Sequence, residues 1–498
     1  MQKSIPSLLA SGLALSLSTV EPAQATTPIN LLANSETDLQ QSIFKVEKHA
    51  LENGLQVWIH HEPTSTIARA DLILNVGARN ETLAINGISH MLEHMTFTGT
   101  EQWDETQVQK TIDQLGGRWN AWTSQEFTGY YATVPAGDLE TALEWLSEVV
   151  FRTTLPADKL EREREVVFQE KGGRYDWAWD QAERLGLGYN LTEKLEHQMF
   201  SRSSFDFSVI GRDRAIKQID RADLVAYHRQ HYRPNNAVLV VAGNTPPDQV
   251  LAAAQRFLGT LESGEIPPRP ETPQPKGLSQ STVVVRGASV SDQVRLKLVA
   301  PTLAQGHPDY WALEVVSEAL DHQLHEQLRL NHGLVYSVGA WNETYTDLGY
   351  FAISTRVHRK NTDKALAIIR EILQTAQGGL KADAVTEAKK SLVGRWSLAM
   401  DSAERRAGWI LDWVGVLDPD QPIPDYPAAI AAVTEADLQR VIETYLQPSQ
   451  FHIGMHKPIV TVTRAARWAG ILLGLGGLGL LAWYGFSHPA ALSALLNR

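Results

Sequence analysis

Two histidines and one glutamate lie within five consecutive residues, His90, Glu93 and His94, in the order H-x-x-E-H. Residues four apart on a helix lie about one turn apart on the same side, so both imidazoles can face one metal ion with the carboxylate beside it. Zinc in such a site lowers the pKa of a bound water to about 7, and a neighbouring carboxylate can accept the proton. The spacing therefore predicts a helix that carries a zinc site and its general base.

A catalytic zinc site usually has three protein ligands, so the two histidines need a third donor. If the segment 163–170 (EREVVFQE) is a helix, Glu163 and Glu170 lie seven residues apart on one face. One carboxylate can bind the metal while the other orients a ligand. The alternative for this helix by itself is a solvated face with salt bridges, because it is rich in Glu and Arg.

The stretch 87–100 (GISHMLEHMTFTGT) and the segment 163–170 resemble the inverzincin peptidases of family M16, which include pitrilysin, insulin-degrading enzyme and mitochondrial processing peptidase. The resemblance implies that Glu170 is the third zinc ligand, that Glu163 supports it, and that each chain binds one Zn²⁺. His94 and Glu170 are 76 residues apart (170 − 94), as expected for the family. Such ligands also accept manganese and cobalt, so zinc is favoured by geometry and availability.

Composition excludes several other classes of function. The 498 residues suffice for two or three domains, and the formal net charge of −12, with no basic stripe, argues against a nucleic-acid partner. The absence of cysteine excludes disulfides, thiolate ligands and cysteine nucleophiles.

Both ends of the chain carry apolar segments. Residues 1–25 have a basic start at Lys3, an apolar stretch and the small-x-small triplet Ala23-Gln24-Ala25, which predicts a signal peptide; an uncleaved anchor or a disordered leader is the alternative. Residues 468–486 are 19 residues without a charge, which predicts a transmembrane helix; a buried core helix is the alternative. We therefore expect an exported, periplasmic or extracytoplasmic body with a C-terminal membrane anchor.

The body has the pattern of a duplication. A Pro-rich linker at 263–276 separates two halves, 38–262 and 277–459, and each has strand-like segments, then a helix, then paired strands and long helices. This predicts an α+β fold of two homologous lobes, each an antiparallel sheet with helices on one face, together with the C-terminal transmembrane helix. The resemblance implies the same LuxS/MPP-like metallohydrolase fold over both lobes.

The second half does not repeat the metal motif. Its helix carries His322 and His325, which are three residues apart and favour a structural or solvated role. The segment 328–338 (LRLNHGLVYSV) resembles the family segment that supplies an Arg and a Tyr to the substrate, which implies these roles for Arg329 and Tyr336. A guanidinium can bind a peptide carbonyl, and a phenol can stabilise an oxyanion.

The segment 116–123 (GGRWNAWT) resembles the family's edge strand beside the zinc. A free strand edge can bind a substrate segment through main-chain hydrogen bonds, which makes Asn120 and Ala121 candidate substrate-binding residues. The alternative is an edge closed by tryptophan packing.

These expectations describe a short, two-lobed, bacterial-type zinc metalloendopeptidase that hydrolyses peptides or unfolded segments in an enclosed chamber. The resemblance implies a four-lobed shell, so a homodimer or a heterodimer with a related chain would share the active site. The alternatives are a non-catalytic structural or assembly subunit with the same fold, and a processing peptidase.

Overall fold

The computed structural model describes residues 45–171, 191–200, 204–273, 275, 281–462, 464–465, 467 and 471. Within them, two sheets organise the molecule. The strands of the first sheet are β1 (Glu47–Ala50), β2 (Gln56–His61), β3 (Ile67–Leu74), β4 (Arg118–Thr123), β5 (Thr128–Pro135) and β6 (Ala237–Gly243). The strands of the second sheet are β7 (Thr282–Val290), β8 (Gln293–Thr302), β9 (Val335–Thr344), β10 (Gly349–His358) and β11 (His452–Val460).

The two sheets repeat one strand order. In the first it is β1-β2-β6-β3-β5-β4, and in the second β7-β11-β8-β10-β9, so the sheets match once the extra strand β1 is set aside. The duplication inferred from the sequence is thus confirmed at the level of topology. The expectation of purely antiparallel sheets is wrong for one pair in each, because β6 runs parallel to β2 and β11 runs parallel to β7. β6 and β11 each follow a series of helices. This long connection is the crossover that a parallel pair of strands requires.

Helices fill the connections between the strands. Those of the first lobe are α1 (Ile88–Thr96), α2 (Glu105–Asp113), α3 (Leu139–Phe151), α4 (Leu160–Glu170), α5 (Leu191–Phe200), α6 (Asp213–Gln218), α7 (Arg221–His231) and α8 (Pro247–Leu258). Those of the second lobe are α9 (Tyr310–Leu324), which continues as a π-helix (His325–Asn331), α10 (Thr362–Ala376), α11 (Ala382–Ala399), α12 (Ala403–Leu411), α13 (Tyr426–Ala432) and α14 (Glu435–Tyr445). Single 3₁₀ turns lie at Ala78–Asn80, Leu83–Ile85, Ala136–Asp138, Ser204–Asp206, Pro234–Asn236, Arg359–Asn361 and Pro448–Gln450.

Apolar spacing explains which helix faces are buried. In α8, for example, Val250, Ala253, Ala254 and Leu258 recur at helical spacing and are all buried. They join the core between the first sheet and its own helices. Helices also cover the opposite face of this sheet, because α12 of the second lobe packs against β3 and β6. The lobes therefore share apolar surface rather than touching only at a hinge.

A buried group of charges also joins the lobes. Arg79 lies after β3 and donates to both carboxylate oxygens of Asp347 in the second lobe, at 2.8 and 2.7 Å. It also pairs with Glu126 at 2.8 Å. Within the linker, Arg269 binds Glu126 at 2.9 Å and Thr272 binds Asp347 at 2.5 Å. The Pro-rich segment is thus held against the lobes that it connects.

The predicted transmembrane helix is wrong, and so is the anchored localisation. Among the residues that the structure describes, no helix is long and apolar enough to cross a membrane. Most of 468–486 lies outside the described residues, as does the whole of the expected signal peptide at 1–25. The exact lobe boundaries at 38–262, 263–276 and 277–459 remain predictions.

Candidate metal centre

The helix α1 is capped by a buried carboxylate. Glu81 accepts hydrogen bonds from the backbone N–H groups of Gly87, at 2.7 Å, and Ser89, at 2.9 Å. Gly87 has a left-handed backbone with φ of 102°, which glycine adopts at no steric cost. A carboxylate at a helix N-terminus satisfies free N–H groups and complements the helix dipole. The start of the metal-motif helix is therefore fixed by tertiary contacts.

The predicted metal donors converge where α1 packs against α4. Glu170 Oε2 lies 3.5 Å from His90 Nε2 and 3.6 Å from His94 Nε2. One donor atom from each of the three residues lies within 4.8 Å of the others. Zinc–ligand distances of about 2.0–2.2 Å give a donor-to-donor edge of about 3.3–3.6 Å in a tetrahedron. The two distances from Glu170 match this edge, so the three side chains can hold one metal ion and leave a fourth position for another ligand.

Glu163 faces the other nitrogen of one histidine. Its Oε2 lies 3.6 Å from His94 Nδ1, and its Oε1 accepts a 2.7 Å hydrogen bond from Arg162. Arg162 is in turn held by two hydrogen bonds to Glu105, at 2.6 and 3.1 Å. A carboxylate in this position fixes the orientation of an imidazole ligand.

The charges of the site favour a cation. Burial and the neighbouring His94 lower the pKa of His90 to about 4. Burial would also lower the pKa of His94, but the adjacent carboxylates of Glu163 and Glu170 raise it to about 10. The two glutamates therefore stabilise positive charge at the place where the donor atoms meet.

Glu93 is buried beside the donors and is oriented by the sheet. Its Oε2 accepts a 2.5 Å hydrogen bond from the hydroxyl of Thr123, the last residue of β4. Burial raises the pKa of Glu93 to about 7, although the Thr123 hydrogen bond and the charge of His94 oppose the change. A carboxyl group with a pKa near neutrality is suited to proton transfer.

Arg329 and Tyr336 lie next to each other in the second lobe. Arg329 lies in the π-helical segment, and its guanidinium carbon is 5.1 Å from the ring centre of Tyr336 on β9. The Tyr336 side chain is 76% exposed. Within the described part of the chain, no hydrogen bond or ion pair links either residue to the donors or to Glu93.

Asn120 and Ala121 lie on the free edge of the first sheet. Among the residues that the structure describes, β4 is a terminal strand that pairs only with β5. The Ala121 N–H donates to Asn120 Oδ1 at 2.9 Å. The ring of Trp119, by contrast, turns inward and packs near Phe97 and Trp145. The tryptophan thus packs under the sheet and leaves the edge open.

Sequence reasoning missed Thr123, Glu81 and Arg162. Thr123 orients Glu93, Glu81 caps α1, and Arg162 holds Glu163. Each of them therefore acts through a residue or a helix that the motifs do identify. Arg162 carries a faint signal, since it is adjacent to Glu163. Thr123 and Glu81 carry none, because their roles arise from contacts between separate elements.

Two family models match the chain. Residues 56–187 match the model described as insulinase (peptidase family M16), and residues 218–392 match the model described as peptidase M16 inactive domain. The first match contains His90, Glu93, His94, Glu163 and Glu170, and the second contains Arg329 and Tyr336.

Several curated proteins and solved structures are similar to the chain. An uncharacterized zinc protease of Mycobacterium leprae is 30% identical over 68% of the chain and 74% of that protein. The mitochondrial-processing peptidase subunit beta of Bos taurus is 26% identical over 80% of the chain and 81% of that subunit. A protease structure from Helicobacter pylori has a TM-score of 0.73 at 23% identity, and it covers 83% of the chain and 100% of its own length. From these matches and the donor geometry, we conclude that the chain belongs to peptidase family M16.

Proposed function

We propose that the protein is a zinc-dependent endopeptidase whose metal is held by His90, His94 and Glu170. The observation that carries this proposal is the convergence of these three donors around one point, with the buried carboxyl of Glu93 beside them. Relatives are named zinc proteases, which supports zinc over other divalent metals. The distances of 3.5 and 3.6 Å from Glu170 to the two histidines also match the edge of the tetrahedral geometry that zinc favours.

Zinc, when bound, supplies a Lewis acid that stabilises negative charge on a carbonyl oxygen. The side chains of the protein then carry out the proton transfer. Glu93 accepts a proton from the attacking water and can pass it to the leaving amine, as a general base followed by a general acid. Thr123 holds Oε2 of Glu93, so Oε1 is the oxygen that can face the water. Glu163 keeps the His94 ring in the orientation that ligation needs.

The free edge of β4 is the proposed substrate-binding surface. A peptide that pairs with an edge strand forms main-chain hydrogen bonds, and these tolerate many sequences. Asn120 and Ala121 lie on this strand, and Thr123 at its end contacts Glu93. A peptide along β4 would therefore lead towards the general base. The Ala121 N–H would have to exchange its bond to Asn120 for one to the substrate.

Arg329 and Tyr336 are proposed to act on the metal centre of a partner chain. Tyr336 is largely exposed and next to Arg329, and in the described part of the chain no hydrogen bond or ion pair links either residue to the donors. Similarity to a chain named as a subunit of mitochondrial-processing peptidase is consistent with paired chains. In the assembled pair, the guanidinium would bind a substrate carbonyl and the phenol would donate to the developing oxyanion.

A non-catalytic structural subunit is the competing function. One of the similar structures is titled a peptidase M16 inactive domain, from Pseudomonas fluorescens, with a TM-score of 0.74 at 19% identity. The complete set of donors and the buried Glu93 favour the peptidase instead. A subunit without catalysis has no need for a carboxylate oriented at an open metal position.

Cleavage of an internally quenched peptide tests the proposal. The zinc-loaded protein should cleave the peptide, and Glu93→Gln should abolish cleavage while still binding zinc. Glu161→Gln is a matched control, because Glu161 lies on α4 but its side chain is 76% exposed. If Glu93→Gln cleaves as fast as the unaltered protein, the proposed base is wrong. If the unaltered, zinc-loaded protein is inactive on all peptides, the structural-subunit function is favoured.

A further inference from the structure

The second lobe contains a counterpart of the metal-motif helix. The helix α9 follows β8 as α1 follows β3, and β8 and β3 hold the same place in the two sheets. Residues 89–94 read SHMLEH, and residues 317–322 read SEALDH. The two stretches share a serine, a leucine, an acidic residue and a histidine at the same positions. In this alignment, Glu318 replaces the first histidine of the motif.

Contacts to the sheets support the same register. Glu93 accepts a hydrogen bond from Thr123 on β4, and Asp321 accepts one from the Ala340 N–H on β9, at 2.8 Å. The strands β4 and β9 are the corresponding terminal strands of the two sheets. Asp321 is therefore the counterpart of Glu93, and His322 is the counterpart of His94.

The helix that supplies the third donor also has a counterpart, α11. On α4, Arg164 donates to the carbonyls of Ile216 and Ile219, and Ile219 directly follows the short helix α6. On α11, Lys389 donates to the carbonyls of Ala431 and Val433 at the end of the short helix α13.

These two cations fix the register of the helices. Glu170 lies six residues after Arg164, and Arg395 lies six residues after Lys389. Arg395 therefore stands in the second lobe where the first lobe has its carboxylate ligand. The replacement reverses the charge of that position.

The contacts of Arg395 lead back to the counterpart helix. Its two terminal nitrogens donate to the two carboxylate oxygens of Glu318, each at 2.5 Å. Glu318 also lies 2.9 Å from His322 Nε2, and its side chain is only 8% exposed. A bidentate pair of this kind is among the stronger charge-assisted contacts. It joins α9 to α11, as the metal donors of the first lobe join α1 to α4.

We propose that the second lobe retains the frame of a metal centre in which the guanidinium of Arg395 replaces the metal ion. The first lobe gathers two imidazoles and a carboxylate, which attract a dication. The second lobe has exchanged one imidazole for Glu318 and the carboxylate for Arg395, so its charges neutralise each other. This neutral arrangement does not attract a second metal ion. It also joins α11 to α9, the helix that continues into the segment of Arg329. It extends beyond the proposed peptidase activity and does not depend on it.

Restoring the donors tests this inference. In a chain that carries His94→Ala to disable the first site, Glu318→His with Arg395→Glu should bind one equivalent of zinc in a chelator competition. Adding His322→Ala should abolish that binding. The matched control combines Glu318→His with Lys390→Glu, which has the same change of charge but retains Arg395, and it should bind no additional zinc. A folded Glu318→His, Arg395→Glu chain that binds no more zinc than the His94→Ala chain overturns the proposal.

Stability provides a second measurement, in case the altered lobe unfolds without metal. A ligand that binds only the folded state raises the melting temperature. In the His94→Ala background, zinc should therefore raise the melting temperature of the chain with both substitutions, and also that of a chain with Arg395→Glu, by more than it raises that of His94→Ala by itself. The proposal is wrong if zinc stabilises neither chain, including the case in which no zinc concentration restores folding.

Discussion

The hydroxyl of Thr123 donates a 2.5 Å hydrogen bond to Oε2 of Glu93. The contact connects the last residue of the edge strand β4 to the helix that carries His90 and His94. The proposed base and the proposed substrate strand are therefore positioned by one another. A change at this contact should affect proton transfer more than it affects metal binding.

Thr123→Val removes this hydrogen bond and retains the side-chain shape. We expect kcat to fall about 10- to 100-fold, since a hydrogen bond to a charged group contributes about 1.5–3 kcal/mol. Zinc affinity should not change. Thr133→Val on the adjacent strand β5 is the control, because its buried hydroxyl has no hydrogen-bond partner among the described residues. Steady-state peptide cleavage measures both variants, and an unchanged kcat for Thr123→Val would contradict this assignment.

Glu163→Gln weakens the support of His94. The substitution removes the carboxylate charge that faces His94 Nδ1 at 3.6 Å. We expect zinc affinity to fall about 10- to 100-fold, as is typical when the partner of a histidine ligand is lost. Competition with a zinc chelator measures the affinity without relying on activity. Wild-type affinity in Glu163→Gln would show that Glu163 does not orient the ligand.

Arg79→Met breaks the buried connection between the lobes. The Arg79 side chain is 2% exposed, and the substitution leaves the carboxylates of Glu126 and Asp347 with fewer partners. We expect the free energy of unfolding in urea to fall by about 3–5 kcal/mol. The control, Arg118→Met, breaks an exposed pair with Glu404 and should cost at most about 1 kcal/mol. Equal losses in the two variants would contradict a special role for the buried pair.

The sequence alone predicts the helices and strands that local residue patterns specify. The order H-x-x-E-H identified α1, and the spacing of Glu163 and Glu170 placed both carboxylates on the face of α4 that meets α1. The repeated order of strands and helices also predicted the two sheets. These features follow from helical and strand periodicity, which a single sequence displays directly.

Other features depend on contacts that periodicity does not encode. The parallel placement of β6 and β11 results from where each last strand inserts into its sheet. The partners of Glu93 and Glu318 lie on different elements from the glutamates themselves, in Thr123 and Arg395. The second-lobe motif is hard to recognise because two of its donors have changed identity, and the hydrogen bonds of Asp321 and Lys389 support the register that the sequence alignment suggests.

Glu196 gives the protein a pH-dependent stability. It lies on α5 against the second sheet, accepts a 3.0 Å hydrogen bond from Tyr350, and has Lys297, Glu193 and Glu343 as charged neighbours. Burial raises its pKa from the usual value of 4.5 to about 7, although Lys297 opposes this change.

The sign of the effect follows from the protonated form. Between pH 4.5 and 7 the folded state holds a proton that the unfolded state releases, so stability declines as the pH rises through this window. At pH 8 the ionised carboxylate costs roughly 3 kcal/mol. Glu196→Gln should therefore stabilise the protein more at pH 8 than at pH 5, as measured by urea unfolding. Equal effects at the two pH values would contradict the shift.

A shared active site predicts complementation between two inactive chains. Glu93→Gln lacks the base, and Tyr336→Phe lacks the phenol that is proposed to reach a partner's metal centre. If the sites are shared, a mixed pair has one centre with Glu93 from one chain and Tyr336 from the other, so mixing should restore up to about half of the activity per mixed dimer. Mixing Glu93→Gln with a chain that carries both substitutions is the control and should restore none. Exchange of chains must be followed independently, for example by energy transfer between labelled chains. Complete exchange without recovered activity would place Tyr336 at the metal centre of its own chain. Only a phenol contributed across the interface produces recovery in one mixture and none in the other.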